Sequence, residues 1–462
     1  MIISKEFDEK SSSLIASYFD NNGNIAFIKK PIPKADQFNW VTTTNPTEFR
    51  NWDDRFLRKA PTKWPSGFRL EELIQSRLTN AEKSALYSEN SPNRTFLDIE
   101  IKLESQDFPE PSKALMEVNL ITFVGENNVV FTLSTTEDFD KNAKSQMINE
   151  VNEYLLKSKI NTKFTLNYIY FKEEIDMLTF FFHKCLPRMS FLTGWNVIGF
   201  DWLYLINRAK RLKIEPMKNM TSNKLIGKSQ MPLHLGLLDY MEVFMNTKPY
   251  KVVENYKLDY ISELVLGITK LKTDYSTMLE AQQDTFNFAK YNIIDTCLVK
   301  LIDDKLQLLD VAFAISIIAN IEVSRVFSAV FITETLMCRE FLANGKFLAN
   351  DKRDLDEDST YAGAYVMKPI PGYYKYIMLD DFASMYPNLT IQFNMSPDVY
   401  LGKMQNLNDP IPDNIIFTKN DTLFSNNKDS VARVILTRLY QRRVDIKSEM
   451  AKLELVLDEI KI

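Results

Sequence analysis

Carboxylates are the residues of this chain best placed to do chemistry. There are only two histidines, His183 and His234, and the three cysteines, Cys185, Cys297 and Cys338, lie far apart with no C-x-x-C spacing. A cysteine-based zinc site is therefore not expected, and the thiols read as free, buried groups in a reducing compartment. In "FLDIEI", Asp98 and Glu100 stand two residues apart, so on a strand they share one face while Leu97, Ile99 and Ile101 fill the other. Two acids facing one way repel each other unless cations lie between them, although a half-exposed strand would also explain the pair. In "LTGWNVIGFDWLYLINRAKRL", Trp202, Leu205, Ile206, Ala209 and Leu212 recur at helical spacing, which starts a helix at Asp201. That aspartate is either a cap or, after the close-approach residues Gly194, Asn196 and Gly199, a ligand. In "FAKYNIIDTCLVKLI", Tyr291 and Asp295 are i and i+4 on one helical face, with apolar neighbours that are unfavourable for a lone carboxylate.

The three patterns together say more than any one. A D-x-E on a strand, an N-x4-D at a helix start and a Y-x3-D on a later helix assemble oxygen-only ligands, which favour hard cations such as Mg²⁺ or Mn²⁺. Two such ions close together activate water and stabilise the leaving oxygen of a phosphodiester, and the tyrosine can orient the water. This is a nuclease constellation.

The elements that must position these groups belong to a multidomain α/β chain. At 462 residues it exceeds one ordinary core, and 45% apolar with 25% charged residues is globular composition. Alternation predicts a strand over 94–103 and two strands joined by a turn over 120–133. Helical periodicity fills 141–157, 171–186, 201–212 and 284–345. Strands are predicted again at 364–368 and 374–380, after the charged linker "KRDLDEDST", and an amphipathic helix from Ser430 to the end. The longest apolar run, "VAFAISIIANI", is too short to span a bilayer, so no membrane association is expected and the location reads as cytoplasmic. Net charge is −5, yet Arg208 to Lys228 and Arg433 to Lys452 are locally basic: solvated faces, or phosphate contacts.

The order "FLDIEI", "WNVIGFD", "YNIID" resembles the exonuclease motifs of family B DNA polymerases. "DFPEPSKA", "LDYISEL" and "YAGAYVMKPIPGYYKYIMLDDFASMYPNL" look like the branch found in large tailed phages of the T-even type. The resemblance implies a ribonuclease H-like 3′–5′ exonuclease in which Asp98, Glu100, Asp201 and Asp295 hold two Mg²⁺ or Mn²⁺ ions and Tyr291 supports them. "DDFASMYPN" matches the first palm motif and implies that Asp381 is a metal ligand, with Asp380 its neighbour. It further implies that Ser384 and Met385 face a bound dNTP and that Tyr386 lies against its sugar. Arg443 (or Arg442, in the other register) and Lys447 match the first fingers helix, whose cations grip the triphosphate. Tyr361 and Gly363, in "YAGAYV" with Ala364 where the family has a second glycine, imply template contacts. Lys213, Lys218 and Lys224 stand where the family has a DNA-facing β-hairpin.

The sequence contains no K-x3-N-S-x-Y-G and no D-T-D-S, the motifs that complete the palm and fingers. The implied protein is the N-terminal portion of a replicative DNA-directed DNA polymerase with 3′–5′ exodeoxyribonuclease activity. It acts on single-stranded DNA and primer–template, and its synthesis is incomplete until a complementary C-terminal chain joins, with a sliding clamp reached through that chain. The expected divisions are an N-terminal domain (1–92), the exonuclease domain (93–307), a return segment (308–352), a partial palm (353–428) and the first fingers helix (429–462). If phage-encoded, it would work in the host cytoplasm. Rival readings are a free-standing exonuclease with a polymerase remnant and a non-catalytic DNA-binding assembly subunit.

Overall fold

The computed structural model describes residues 1–462 except 64, 106–108, 215–220, 227–228, 233–234, 248–251, 272–274, 276, 351–364, 405–410, 419 and 462, and except the side chains of 221–226, 229–232, 455 and 457–461. It resolves into two compact units, residues 1–32 with 74–332 and residues 33–73 with 333–462, so the first ninety residues are divided between them.

In the first unit, β1 (Ile2–Asp8), β2 (Ser13–Phe19) and β3 (Ile25–Pro31) form an antiparallel sheet. A second, six-stranded mixed sheet uses β4 (Arg94–Ile101), β5 (Val118–Gly125), β6 (Val129–Ser134), β7 (Thr165–Tyr170), β8 (Phe191–Thr193) and a short β11 (Gly236–Leu237). Its order is β11-β8-β4-β5-β6-β7, with β4-β5-β6 antiparallel and the other neighbours parallel. Between β8 and β11 in the chain, β9 (Thr221–Ile226) and β10 (Ser229–Pro232) pair antiparallel, a hairpin where the basic segment was read.

Alternation along β4 decides what each face of this sheet meets. Phe96 joins the core made by α1 (Lys141–Leu155), α3 (Leu258–Leu266), α4 (Thr285–Leu306) and α5 (Leu308–Ala319). Leu97, Ile99 and Ile101 join the opposite core, with α2 (Asp201–Arg211) and the helix Glu174–Phe180. Asp98 and Glu100, in step with Phe96, therefore turn toward α4. Cys297 and Cys338 are buried and in no disulfide, as expected, whereas Cys185 is only half-buried.

The second unit pairs strands Phe38–Thr42 and Leu57–Pro61 around Phe38, Trp40 and Leu57. It also holds a three-stranded antiparallel sheet of Tyr400–Lys403, Thr422–Ser425 and Ile415–Phe417. The helix Val431–Lys461 packs through Val431 and Ile435 on Phe341. The strands expected at 364–368 and 374–380 are not formed among the described residues: 365–383 carries no helix or strand and is exposed throughout. A strand persists when a neighbour exchanges ladder hydrogen bonds with it, and no described strand pairs with this segment.

Arg94, at the start of β4, ties the sheet to the far end of α4. Its Nη1 donates to Asp303 Oδ2 at 3.0 Å, it pairs with Asp310 at the head of α5, and Asp303 also accepts from the Leu309 amide at 3.1 Å. Arg94→Met leaves Asp303, 2% exposed, without its cation. It should destabilise the chain by about 3 kcal/mol, read as a lowered midpoint in urea unfolding.

Candidate active site

Four segments converge beside β4. The first is β4 itself, carrying Asp98 and Glu100, both half-buried. The second is the turn from β8 into α2. Gly194 is required there, because a Cβ would stand 2.3 Å from the Leu97 carbonyl oxygen, and Asn196 takes a left-handed φ of 62°. Asp239 pins this turn: its buried carboxylate accepts from the amides of Asn196, Ile198 and Met241, each at 3.0 Å. Burial pushes the Asp239 pKa up to about 6 against these three bonds.

Asp201 does not cap its helix. Its Oδ1 reaches across to accept from the Ile99 amide at 3.0 Å, between Asp98 and Glu100, and makes no cap hydrogen bond to its own helix. The β8–β4 ladder extends only to Thr193 opposite Phe96, and Asp201 takes a β4 amide beyond its end.

The third segment is α4, capped by Asp284. It presents Tyr291, Asn292 and Asp295. Asn292 Nδ2 donates to Asp98 Oδ2 at 2.6 Å. The fourth is the turn after α3, which no sequence motif marks. After α3 ends on Gly267 in a left-handed conformation, the turn is held by Asp259, which accepts from the Lys270 amide at 2.8 Å, and by the Tyr154 hydroxyl, which donates to the Thr269 carbonyl at 2.9 Å. Lys270 Nζ then donates to the Tyr291 hydroxyl at 3.1 Å and pairs with Asp295 Oδ2. Nothing in "LVLGITKLK" marks Lys270 apart from its neighbour Lys272, and Asp239 carries only an N-cap signal.

Each aspartate thus has one oxygen held by a protein donor. Asp295 Oδ1 is buried without a partner, and Glu100 has no hydrogen-bond partner among the described residues. Desolvation, then mutual repulsion, drives the pKa values up: Asp98 to about 7, with Asp295 its main repelling neighbour, and Glu100 well above its ordinary value with Asp98 next. Asp201 rises by burial and the charge of Asp98, and Asp295 by burial, restrained by Lys270. Burial would lower the Lys270 pKa, but Asp295 and Tyr291 outweigh it and hold the ammonium charged.

No three such ligands are drawn together tightly enough to grip an ion as they stand, among the described residues. The donor set nonetheless fits hard divalent cations: oxygen only, an excess of negative charge, and an orphaned buried oxygen on Asp295.

The polymerase-side residues are placed but not assembled. Asp381 and Asp380 lie on the exposed segment without regular structure. Ser384, with φ of 50°, precedes the helix Met385–Gln392, and Met385 and Tyr386 are exposed on its first turn. Arg443 and Lys447 are exposed, one turn apart on Val431–Lys461. No hydrogen bond or ion pair links these groups to one another among the described residues. Lys213 follows α2 with φ of 57°. Lys218, Tyr361, Gly363 and the side chain of Lys224 lie outside the described residues.

A mixed six-stranded sheet with clustered acids on its central strand and on two covering helices has the ribonuclease H-like arrangement. The profile of the DNA polymerase family B exonuclease domain matches residues 73–261, and that of DNA polymerase family B matches residues 323–459. The chain belongs to the family B DNA polymerases. It is similar to the DNA-directed DNA polymerase of Escherichia phage RB69, 27% identical over 76% of this chain and 42% of that protein. It is also similar to that of Enterobacteria phage T4, 24% identical over 90% of this chain and 52% of that protein. A third relative is the DNA polymerase delta catalytic subunit of Plasmodium falciparum, 25% identical over 61% of this chain and 28% of that protein. The chain spans about half the length of the phage relatives it matches. No helix among the described residues is long and apolar enough to cross a membrane.

Carboxylates whose folded pKa exceeds the unfolded value bind protons more tightly when folded, so they favour the folded state at low pH. That advantage disappears as pH rises from about 4 to about 7. Without divalent cation, the melting temperature should fall over this window by on the order of 5 °C. Mn²⁺ should cancel the fall, and Asp98→Ala with Glu100→Ala should flatten it; differential scanning fluorimetry across pH with and without Mn²⁺ checks all three.

Proposed function

We propose that the chain is the N-terminal part of a replicative DNA polymerase that removes nucleotides from the 3′ end of single-stranded DNA and contributes the first palm acid and fingers helix to synthesis. The observation that carries the nuclease half is the cleft in which Asp98, Glu100, Asp201 and Asp295 meet Tyr291, with one oxygen of each aspartate tied down. Two divalent cations bound by these four acids would supply an activated water and offset the charge that builds on the phosphodiester. The chain's own groups do the rest. The Tyr291 hydroxyl orients the attacking water, Lys270 holds Tyr291 and Asp295 in register, and Asp239 holds the turn that delivers Asp201. Water oxygen bonds to phosphorus, the bond to the 3′ oxygen breaks, and a nucleoside 5′-monophosphate leaves a strand with a new 3′ hydroxyl.

Residues 93–307 are our exonuclease domain, and Lys213, Lys218 and Lys224 our candidates for phosphate contacts beside it, with Tyr361 and Gly363 for template. Asp381, Ser384, Met385, Tyr386, Arg443 and Lys447 would serve a dNTP once a complementary polypeptide supplies the second palm acid. Exposed Tyr365, Tyr373, Leu379 and Phe382, and exposed Ile446, Met450 and Leu453 along Val431–Lys461, are apolar surface suited to such a partner. If phage-encoded, the chain would work in the cytoplasm of the host. A second reading, a free-standing exonuclease, is favoured by the unassembled state of the polymerase-side residues.

The purified chain with Mg²⁺ or Mn²⁺ should shorten 3′-labelled single-stranded oligonucleotide, and Asp98→Ala with Glu100→Ala should lower the rate at least about 100-fold; a folded wild-type chain that leaves the label intact would refute the nuclease half. The chain alone should not extend a primer. Co-expressed with a polypeptide bearing the missing palm and fingers motifs it should, and Asp381→Ala should then abolish extension while sparing the nuclease. Exonuclease activity with no extension in that complex would favour the second reading.

A further inference from the structure

Asn292 is fully buried on α4 between Tyr291 and Asp295. Its Nδ2 donates to Asp98 Oδ2 at 2.6 Å, while its Oδ1 is buried with no partner. The charge on Asp98 sets the amide's orientation, because the reverse flip would put oxygen against oxygen. A buried amide with half of its hydrogen-bonding capacity unused is unfavourable, and an apolar side chain of the same volume would avoid the orphaned acceptor. Packing therefore does not account for an asparagine here. Asp98 does.

Released from Asn292, Asp98 would be free to rotate in the field of Lys270, which already pairs with Asp295 and attracts Asp98. The cleft would then tend to collapse into a lysine bridged by two aspartates, with neither carboxylate available to a cation. With Oδ2 held by Asn292, the Asp98 carboxylate cannot make that turn, and its Oδ1 stays open to another ligand. The unpartnered Asn292 Oδ1 provides an acceptor for a water in the same cleft.

We propose that Asn292 is a positioning residue of the nuclease centre, whose carboxamide holds Asp98 in the orientation that takes a divalent cation and keeps it from pairing with Lys270. This rests on the exonuclease reading above.

Two shape-preserving variants of the full chain test it, Asn292→Leu and Asn292→Asp. Each is read by metal-free melting temperature, by Mn²⁺ binding from the electron paramagnetic resonance signal of the free ion, and by kcat and KM on single-stranded oligonucleotide at saturating Mn²⁺. Asn292→Leu loses an orphaned acceptor, so its melting temperature should hold or rise. Its Mn²⁺ affinity and kcat should both fall about 10- to 100-fold, with KM for the oligonucleotide little changed. Asn292→Asp adds a carboxylate but no donor: Mn²⁺ binding should be retained, because the ion relieves added repulsion, while kcat falls at least about 10-fold. A structural role alone would move stability and activity together in both variants. Asn292→Leu that binds Mn²⁺ and cleaves like the wild type, or activity lost only in proportion to unfolded protein, overturns the proposal. Wild-type protein that neither binds Mn²⁺ nor cleaves would remove the exonuclease reading itself.

Discussion

Four carboxylates held near one another in a largely desolvated cleft repel, and the first unit is arranged around containing that repulsion. Strand β4 sets Asp98 and Glu100 on one face by its pleat alone. The remaining acids arrive on separate helices, and each aspartate is restrained by a single donor: Asn292 for Asp98, the Ile99 amide for Asp201, Lys270 for Asp295. One donor to each of the three aspartates, and none to Glu100, is a compromise. With none, the side chains would splay apart or protonate; with several, no oxygen would remain for a cation. The raised pKa values of all four acids express the same tension.

The supporting parts follow from that need. Gly194 lets the second segment approach the β4 backbone, and Asp239 gathers three amides so that α2 starts where Asp201 can reach Ile99. Gly267, Asp259 and Tyr154 shape the turn that brings Lys270 to α4. At the opposite end of α4, Arg94 and Asp303 join helix to strand. These contacts span up to about two hundred residues of sequence, so the cleft depends on the whole unit being folded.

The second unit has the opposite character. Its apolar clusters around Trp40 and Phe341 are packed, but 365–383 exposes tyrosine, isoleucine, leucine and phenylalanine and pairs with no described strand. Such a segment has the composition of buried strands without their neighbours. The helix Val431–Lys461 is similar: its first turns are packed, whereas Val444, Ile446, Met450, Leu453 and Val456 are exposed.

Local pattern made much of this readable. The alternation in "RTFLDIEIKL" gave β4 and the shared face of Asp98 and Glu100; periodicity gave α1, α2 and α4; and "WNVIGFD" and "YNIID" supplied Asp201, Tyr291 and Asp295. Those signals survive because strand and helix periods are properties of adjacent residues. The strands expected at 364–368 and 374–380 failed for a reason no periodicity contains: a strand's hydrogen bonds belong to its neighbour. Asp239, Lys270 and Asn292 escaped because an N-cap aspartate, a lysine in a turn and a core asparagine look ordinary in sequence. The sequence by itself determined which acids could bind cations and on which elements they stand. Only the tertiary structure decided which oxygen of each is tied and by what, because those bonds join residues far apart in the chain and depend on orientations that only packing creates.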